Sequence, residues 1–287
     1  MLRQFGCPHI ADQGEFQIHP KPASAAGIWS AFIYFYKRKM TSREIPIVVV
    51  SLVESKVRRQ YIAKQFSKIE RKFRFLDAER FKEYPPAYDA ITRWKVHGNQ
   101  MNLSEVGCYD SHYQIWEQLV QSSDEMWCVL EDDVELSDDF LSTLDAIARA
   151  TFPFGIVRLC DIGGEDSWVV ATLSNGSVVK DHRKQPFGTQ GYVIHRDAAR
   201  TLVTHARKIV YAVDDLLNRN WEHHIRTLSV TPAVLVHRHD ILGTTIGRQK
   251  TKRTLFQKLK RELYMGRDSL NRRLYAWTRR RNDLRNP

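Results

Sequence analysis

The feature that most constrains the fold is a strand–helix–strand pattern that begins near residue 45. Ile45–Ser51 is a short run rich in β-branched residues, which is typical of a strand buried in a parallel sheet. Ser55–Ile69 carries apolar residues on one side at helical spacing, and Phe73–Asp77 has the composition of a second strand. Two parallel strands joined by a helix belong to an α/β sheet, whose ligands bind beyond the carboxyl ends of its strands.

The alternation of strands and helices continues to about residue 210. The Pro-containing segment at residues 84–87 is predicted to be a loop, and Ser174–Gly176 is a hairpin turn signature. The other predicted elements are a helix at Asp110–Gln121, a strand at Met126–Leu130, a helix at Asp138–Arg149, a strand at Gly155–Cys160, hairpin strands at Ser167–Leu173 and Ser177–Lys180, a strand at Gly191–His195, and helices at Arg196–Ile209 and Leu216–Trp221.

The positive charge of the chain is confined to its C-terminal end. Residues 248–287 contain 14 Lys and Arg against 3 Asp and Glu, so they carry the whole formal charge of +11. Leucines and aromatic residues follow helical spacing among these cations, which favours contact with an anionic membrane surface. Nucleic acid binding is a weaker alternative to membrane contact. The other alternative is that the cations simply form a solvated helix face with no binding role. The chain is therefore divided into an N-terminal extension at residues 1–40, predicted to be poorly ordered, a catalytic domain at 41–247 and a basic tail at 248–287.

The cysteines and the apolar runs indicate the compartment. The four cysteines show no CxxC spacing, and two of them lie in strand-like runs, which fits a reducing cytoplasm. The apolar run at residues 25–36 is too short to cross a bilayer, and polar residues precede it where a secretory signal would be apolar. The prediction is a cytoplasmic protein without a transmembrane helix.

Three consecutive acids follow the apolar strand that ends at Leu130. If the strand geometry continues, Glu131 and Asp133 point to one side, as two carboxylates must to share a divalent cation, and Asp132 points to the other face. The alternative is a solvated turn before a helix that Asp138 and Asp139 cap. Taken alone, the triplet favours the turn.

Two further patterns are weak by themselves. His112 lies on the apolar stripe of its predicted helix, where a hydrogen-bonded core histidine is more common than a catalytic one. In Phe187–Tyr192, two glycines flank polar residues and could bring backbone close to a ligand, although such glycines before a strand usually indicate only a turn.

The motifs taken in order resemble glycosyltransferase family 25, which contains bacterial lipooligosaccharide galactosyltransferases and collagen galactosyltransferases. The matching segments are Val50–Leu52 with Arg58 and Arg59, Phe75–Ala78, Leu103–Trp116, Val129–Val134, Gly188–Tyr192 and Ala212–Asp214. The resemblance implies a GT-A-type fold, which is a mixed sheet flanked by helices that binds a nucleotide sugar. It also implies UDP-galactose as the common donor and Mn²⁺ or Mg²⁺ as the cofactor.

The resemblance also assigns roles to residues. Glu131 and Asp133 take the positions of the metal-binding acids, and His237 or His239 is the candidate third ligand, with a plain strand residue as the alternative for His237. Asp214 is the candidate base that deprotonates the acceptor hydroxyl in an inverting transfer, and a helix cap is the equal alternative. The residues assigned to donor binding are Ser51, Leu52, Arg59, Asp77, His112, Asp132, Gly191 and Tyr192.

The resulting hypothesis is a membrane-peripheral glycosyltransferase on the inner face of the cytoplasmic membrane. It would move a hexose from a UDP-sugar to a lipid-linked lipopolysaccharide or lipooligosaccharide glycan, and the expected hexose is galactose. The alternatives are a metal-dependent nucleotidyl or phosphoryl transfer enzyme, which would need more basic residues on the phosphates, and a non-catalytic membrane-bound scaffold.

Overall fold

The computed structural model describes residues 44–160, 165–238, 240 and 254–285. Within these residues the chain forms an eight-stranded mixed sheet and a separate two-stranded sheet. The strands are β1 Ile47–Leu52, β2 Arg74–Ala78, β3 Met126–Glu131, β4 Val134–Leu136, β5 Ile156–Arg158, β6 Glu165–Thr172, β7 Val178–Lys184, β8 Gly191–His195, β9 Thr227–Thr231 and β10 Leu235–His237. The helices are α1 Lys56–Lys68, α2 Ala90–His97, α3 Leu103–Gln121, α4 Phe140–Ala148, α5 Arg196–His205, α6 Val213–Leu217, α7 Asn220–His223 and α8 Leu255–Arg285. The predicted N-terminal extension and His239 lie outside the described residues.

The predicted strand–helix–strand unit forms one end of the large sheet. The sheet order is β2-β1-β3-β8-β5-β9-β7-β6, and β1 is parallel to both β2 and β3. In the register of these strands Ser51 is opposite Asp77, and Val50 is opposite Glu131. The polar residues at the carboxyl ends of the first three strands therefore meet at one edge of the sheet.

Strand β8 changes the direction of the sheet at its centre. It is antiparallel to β3 on one side and to β5 on the other. Because β8 runs in the opposite direction, its first residue, Gly191, pairs with Leu130 near the end of β3. The segment that enters β8 thus lies at the same edge as the acids that leave β3.

Two buried clusters cover the two faces of the sheet. Side chains alternate along a strand, so Val49 and Leu130 belong to the cluster that contains Ile62 and Phe66 of α1 and Leu144 of α4. On the opposite face, Val48 and Val129 belong to the cluster that contains Ile115 and Trp116 of α3 and Leu202 of α5. The architecture is helix, sheet and helix in three layers, and the site edge lies at the open end of these layers.

The structure adds one helix that was not predicted and corrects the start of two others. Helix α2 occupies residues 90–97, just after the predicted loop; Asp89 caps it by accepting from the Thr92 amide at 2.9 Å, and Gly98 ends it at a φ of 64°. Helix α3 begins at Leu103 rather than Asp110, because Asn102 and Glu105 form a capping box. Helix α6 begins at Val213 rather than Leu216. Strands β4, β9 and β10 have no counterpart among the predicted elements.

The C-terminal helix α8 packs against the rest of the fold. Its Asp268 accepts hydrogen bonds from Arg219 at 2.5 and 2.9 Å, and its Asp283 accepts from Arg226 at 2.7 Å. Both partners of the first pair are buried. The mixed sheet, the flanking helices and this C-terminal helix confirm the predicted fold class. Among the residues that the structure describes, no helix has the length and apolar character needed to span a bilayer.

Candidate active site

A cavity of about 380 Å³ lies at the carboxyl ends of β1, β2 and β3. Its walls come from these strand ends, from α3, from the segment Gly188–Gln190 before β8, from the start of α6 and from His237 at the end of β10. Open α/β sheets bind ligands at this edge, where the strands end and polar loops begin. The cavity is therefore the candidate active site, and its chemistry follows from the side chains that line it.

The acidic triplet does not continue the geometry of β3. The strand ends at Glu131, and Asp132 and Asp133 form a turn before β4. The expectation that Asp132 points to the other face is therefore wrong, because its carboxylate accepts from Ser51 Oγ at 2.6 Å and from Arg58 Nη1 at 3.0 Å at the cavity. The same Nη1 atom lies 3.0 Å from Asp133 Oδ2. One buried guanidinium thus holds two buried carboxylates.

Asp133 has one oxygen in contact with cations and one that is unused. His237 Nε2 lies 3.3 Å from Asp133 Oδ2, because β10 pairs with β4 and places His237 opposite Val134. Asp133 Oδ1 is buried and has no hydrogen-bond partner among the described residues. Burial and the nearby Glu131 carboxylate raise the pKa of Asp133. A carboxylate oxygen left without a donor in an acidic, buried setting is suited to a cation.

Glu131 accepts a hydrogen bond from the segment before β8 and lies near a histidine of α3. Thr189 Oγ1 donates to Glu131 Oε1 at 2.5 Å, and His112 Nε2 lies 3.8 Å from the same oxygen. Behind His112, its Nδ1 lies 2.9 Å from the Tyr192 hydroxyl, which also accepts from Trp116 Nε1 at 3.0 Å. Burial raises the pKa of Glu131, but His112 and Thr189 more than offset it, so the pKa is lowered. Glu131 is therefore kept ionised.

The residues at this edge fit a hard divalent cation. Glu131, Asp133 and His237 all line the cavity and offer the oxygen and imidazole donors that Mn²⁺ accepts. A different group, Cys108 with His112 and Glu131, has its ligand atoms within 4.8 Å of one another. Burial and the Glu131 charge raise the pKa of the Cys108 thiol, so the thiolate that a metal requires is disfavoured. The oxygen-rich set is the better match.

Asp214 lines the cavity from helix α6. It lies in the first turn of α6, where its Oδ1 accepts from the Asp215 amide at 2.8 Å. Arg158 is buried close by, and its Nη2 donates to Asn218 Oδ1 at 2.8 Å. Asp214 thus lies inside the first turn of α6 and lines the cavity; the N-cap residue of α6 is Ala212 and no side chain caps this helix, so the expected cap at Asp214 is not observed.

Comparison with known proteins identifies the family of this chain. The model of glycosyltransferase family 25, described as an LPS biosynthesis protein family, matches residues 44–217, which contain the cavity walls except His237. The chain belongs to glycosyltransferase family 25.

Relatives of this family 25 glycosyltransferase come from bacteria and insects. A lipooligosaccharide biosynthesis protein of Haemophilus influenzae is 27% identical over 66% of this chain and 74% of its own length. A glycosyltransferase 25 family member of Aedes aegypti is 30% identical over 45% of this chain, and the match spans only 23% of that longer protein. The solved structure of a glycosyltransferase involved in glycosylation of the major capsid of PBCV-1 covers 78% of this chain and 99% of its own, with 13% identity and a TM-score of 0.39.

The structure brings seven of the predicted site residues of this glycosyltransferase to the cavity wall. They are Ser51, Leu52, Glu131, Asp132, Asp133, Asp214 and His237. Five others do not line the cavity: Arg59, Asp77, His112, Gly191 and Tyr192. Arg59 donates to the Ser51 and Leu52 carbonyls and pairs with Asp77, while a Cβ at Gly191 would lie 2.1 Å from a Leu235 methyl group. These residues shape the wall.

Sequence reasoning gave no role to four residues that build the site. Arg58 was recognised only as part of a matching motif, and its buried pairs with Asp132 and Asp133 depend on residues 74 positions away. Cys108 and Thr189 belong to motifs that the resemblance covers, so their proximity to the acids could have been inferred from it. Arg158 lies in a short strand and has no local signal of its own.

Proposed function

We propose that this glycosyltransferase moves galactose from UDP-galactose to a lipopolysaccharide or lipooligosaccharide glycan. The observation that carries the proposal is the cavity lined both by the acids at the end of β3 and by Asp214 of α6, in a chain of family 25. The role of the Haemophilus influenzae relative, lipooligosaccharide biosynthesis, supports the acceptor class. A hexose and a uridine nucleotide are the family's common donor parts.

The donor would bind with its diphosphate at the ends of β1 and β3. Glu131, Asp133 and His237 would hold Mn²⁺ or Mg²⁺, which supplies positive charge to the departing diphosphate. Arg58 holds Asp132 and Asp133 in place, so the acids are oriented before the donor arrives. Ser51 and Leu52 border the same wall and are available to the nucleotide. Arg59 fixes that strand end through its carbonyl contacts.

Asp214 would act as the base in this reaction. The acceptor hydroxyl loses its proton to the Asp214 carboxylate while its oxygen forms a bond to the sugar carbon, and the bond from that carbon to the diphosphate breaks. Inversion is the outcome that the family resemblance implies, and Asp214 and the acids reach the cavity from different elements of the fold. His112 lies near Glu131 and contacts the Tyr192 hydroxyl, which accepts from Trp116.

The outward face of α8 supports attachment to the inner face of the cytoplasmic membrane. Leu263 and Trp277 are 69% and 59% exposed, and four further exposed leucines lie on the same side. At about 100° per residue these six side chains fall within an arc of about 80°. They are Leu259, Leu263, Leu270, Leu274, Trp277 and Leu284. Exposed arginines such as Arg267, Arg280 and Arg281 flank the stripe, and their charge selects anionic lipid.

The activity is tested with the purified protein, Mn²⁺ and a panel of nucleotide sugars. Released nucleoside diphosphate is measured with and without extracted lipooligosaccharide. We expect release from UDP-galactose that increases when the glycolipid is added. Release of nucleoside diphosphate from a different sugar nucleotide, and not from UDP-galactose, would overturn UDP-galactose as the proposed donor. Transfer of a phosphoryl or nucleotidyl group would favour that enzyme class, and absence of any donor binding by calorimetry would favour the scaffold.

The membrane proposal is tested by flotation with phosphatidylglycerol vesicles and with neutral phosphatidylcholine vesicles. Leu270→Glu should abolish flotation with the anionic vesicles, because it places a negative charge in the middle of the apolar stripe. Val169→Glu, at an exposed apolar residue of β6, is the matched control and should float normally. Equal flotation of both variants, or equal binding to neutral vesicles, would contradict the proposal.

A further inference from the structure

A second cavity of about 180 Å³ lies beside the candidate active site. Four separate parts of the chain form it: the end of α2, the segment after β7, the α6–α7 region and the inner face of α8. Residues from the last three regions that line it include Phe187, Tyr211, Asp215, Trp221, Arg261 and Arg272. The described site in the first cavity uses none of these side chains.

The two cavities are neighbours along two segments of the chain. Phe187 lines the second cavity and the next residue, Gly188, lines the first. In the same way Asp215 lines the second cavity and Asp214 lines the first. Consecutive Cα atoms are about 3.8 Å apart, so the walls of the two cavities adjoin at these two places.

Charge and aromatic surface characterise the second cavity. Arg219 is neutralised by Asp268 and Glu222 and stacks over Tyr211, with its central carbon 4.1 Å from the ring centroid. Arg272 is different: it lies 5.3 Å from the Trp221 ring centroid and makes no ion pair among the described residues. The buried Nε of Arg261 also has no hydrogen-bond partner among those residues.

Arg272 makes no ion pair among the described residues, so its guanidinium can bind an anion. It lies over the Trp221 ring, and its paired N–H donors match a carboxylate or a phosphate. Lys184, over the Phe187 ring at 5.5 Å, adds a second cation at the wall. Phe187 is 42% exposed and offers an apolar surface to the C–H face of a sugar ring. The carboxylates in the wall are Asp268, which Arg219 holds, and Asp215.

We propose that the second cavity binds an anionic sugar residue of the acceptor, adjacent to the sugar that receives the transferred hexose. Arg272 binds its carboxylate or phosphate, Phe187 contacts its ring, and Asp215 and Gln185 accept hydrogen bonds from its hydroxyl groups. The inference rests on the proposed function, because it assigns a subsite to the acceptor of that reaction. It makes the acceptor a charged glycan and not a neutral one.

Helix α8 forms a wall of this subsite with the side opposite to its exposed leucines. Arg261, Met265, Asp268 and Arg272 face the cavity, and at about 100° per residue their mean direction is roughly 180° from that of the exposed stripe. One helix therefore presents its outer side to lipid and its inner side to the glycan. A lipid-linked acceptor has both parts.

Binding is tested with the full chain and small glycosides. Methyl glucuronide and glucose 6-phosphate are the anionic probes, and methyl glucoside is the neutral one. We expect saturation-transfer NMR signals and calorimetric binding for at least one anionic probe, at least tenfold tighter than for methyl glucoside. The preferred anionic probe identifies carboxylate or phosphate as the group. Arg272→Gln should remove the difference, while the exposed neighbour Arg273→Gln should keep it. Equal binding of charged and neutral probes by the wild-type protein would overturn the subsite.

Kinetics separate this inference from the proposed function. Arg272→Gln should raise KM for a charged glycan acceptor at least tenfold, with less change in kcat. If UDP-galactose is not turned over by any form of the protein, the proposed function fails although the binding result stands. If turnover is normal and Arg272→Gln matches Arg273→Gln in KM, the subsite is wrong and the function stands. A circular dichroism spectrum equal to that of the wild type shows that both variants fold.

Discussion

The two cavities of this protein are built in different ways. The first lies where three strands of one sheet end, and its acids follow an apolar strand directly in the sequence. The second lies between four segments that are distant in the chain, and two of the four Lys and Arg side chains that line it, Arg261 and Arg272, come from α8. The chemistry of the first cavity therefore depends on which residues follow each strand in the sequence and on the sheet edge where those strands end. The second cavity exists only while α8 is packed against the rest of the fold.

The strongest test of the first cavity is the removal of the acid with the unused oxygen. Asp133→Ala should reduce Mn²⁺-dependent donor turnover about a thousandfold or more, because the metal contributes several kcal/mol to charge stabilisation. Calorimetry should also show loss of Mn²⁺ binding. The exposed Asp138→Ala is the control and should behave like the wild type. Retained Mn²⁺ affinity in Asp133→Ala would place the metal elsewhere, with Cys108, His112 and Glu131 as the next group to test.

The second cavity is tested by breaking the contact that holds α8. Asp268→Ala leaves Arg219 with only Glu222 as a partner in a buried position, so we expect a loss of about 3 kcal/mol in the free energy of unfolding. Urea unfolding measures the loss. Glu262→Ala, which removes an exposed pair with Arg261, should cost no more than about 0.5 kcal/mol. Equal midpoints for the two variants would show that α8 is not held by this pair.

The boundary between the cavities is tested at Asp214. Asp214→Asn should reduce kcat about a hundredfold, since general base catalysis contributes at least that factor, with little change in the KM for the donor. The matched control is Asp197→Asn, an exposed acid in the first turn of α5. A kcat within about twofold of the wild type would remove Asp214 from the proton-transfer step.

The neighbouring Asp215 should control stability and not the chemical step. Burial and the Asp214 charge raise the pKa of Asp215 from 3.8 to about 6. The folded state therefore binds this proton more tightly than the unfolded state, so stability is lost as pH rises through 6. Asp215→Asn should be more stable than the wild type by about 2 kcal/mol at pH 8 and by almost nothing at pH 3. Thermal melts at the two pH values measure this, and a pH-independent difference would contradict it.

Much of the first cavity could be predicted from the sequence because its determinants are local. The β-branched run before Ser51 and the apolar run before Glu131 predicted the strands, and strand direction then put both ends at one edge. What failed was the assumption that β3 continues through the acids. The turn at Asp132 is set by Ser51 and Arg58, which come from another strand and its following helix. The alternation of side-chain directions along β3 cannot predict these contacts, because they come from residues distant in the sequence.

Other elements were missed for two different reasons. Helices α2 and the first turns of α3 had local signals, Asp89 before α2 and the Asn102–Glu105 capping box, which could have been read. Strands β4 and β10 are three residues each and pair across about a hundred positions, so no short pattern marks them. The second cavity belongs to the second kind: the periodicity of α8 predicted its apolar face, but only tertiary packing reveals what its opposite side contacts.

The reversed direction of β8 has a consequence for how such a protein can change. The residues that reach the site from β1 and β3 follow their strands, but Thr189 precedes its strand. A change of loop length before Gly191 would therefore move a side chain that touches Glu131, while a change after His195 would fall at the far edge of the sheet. The donor site can thus evolve through the loop before β8, and the far edge of the sheet through the loop after β8, while β8 itself stays unchanged.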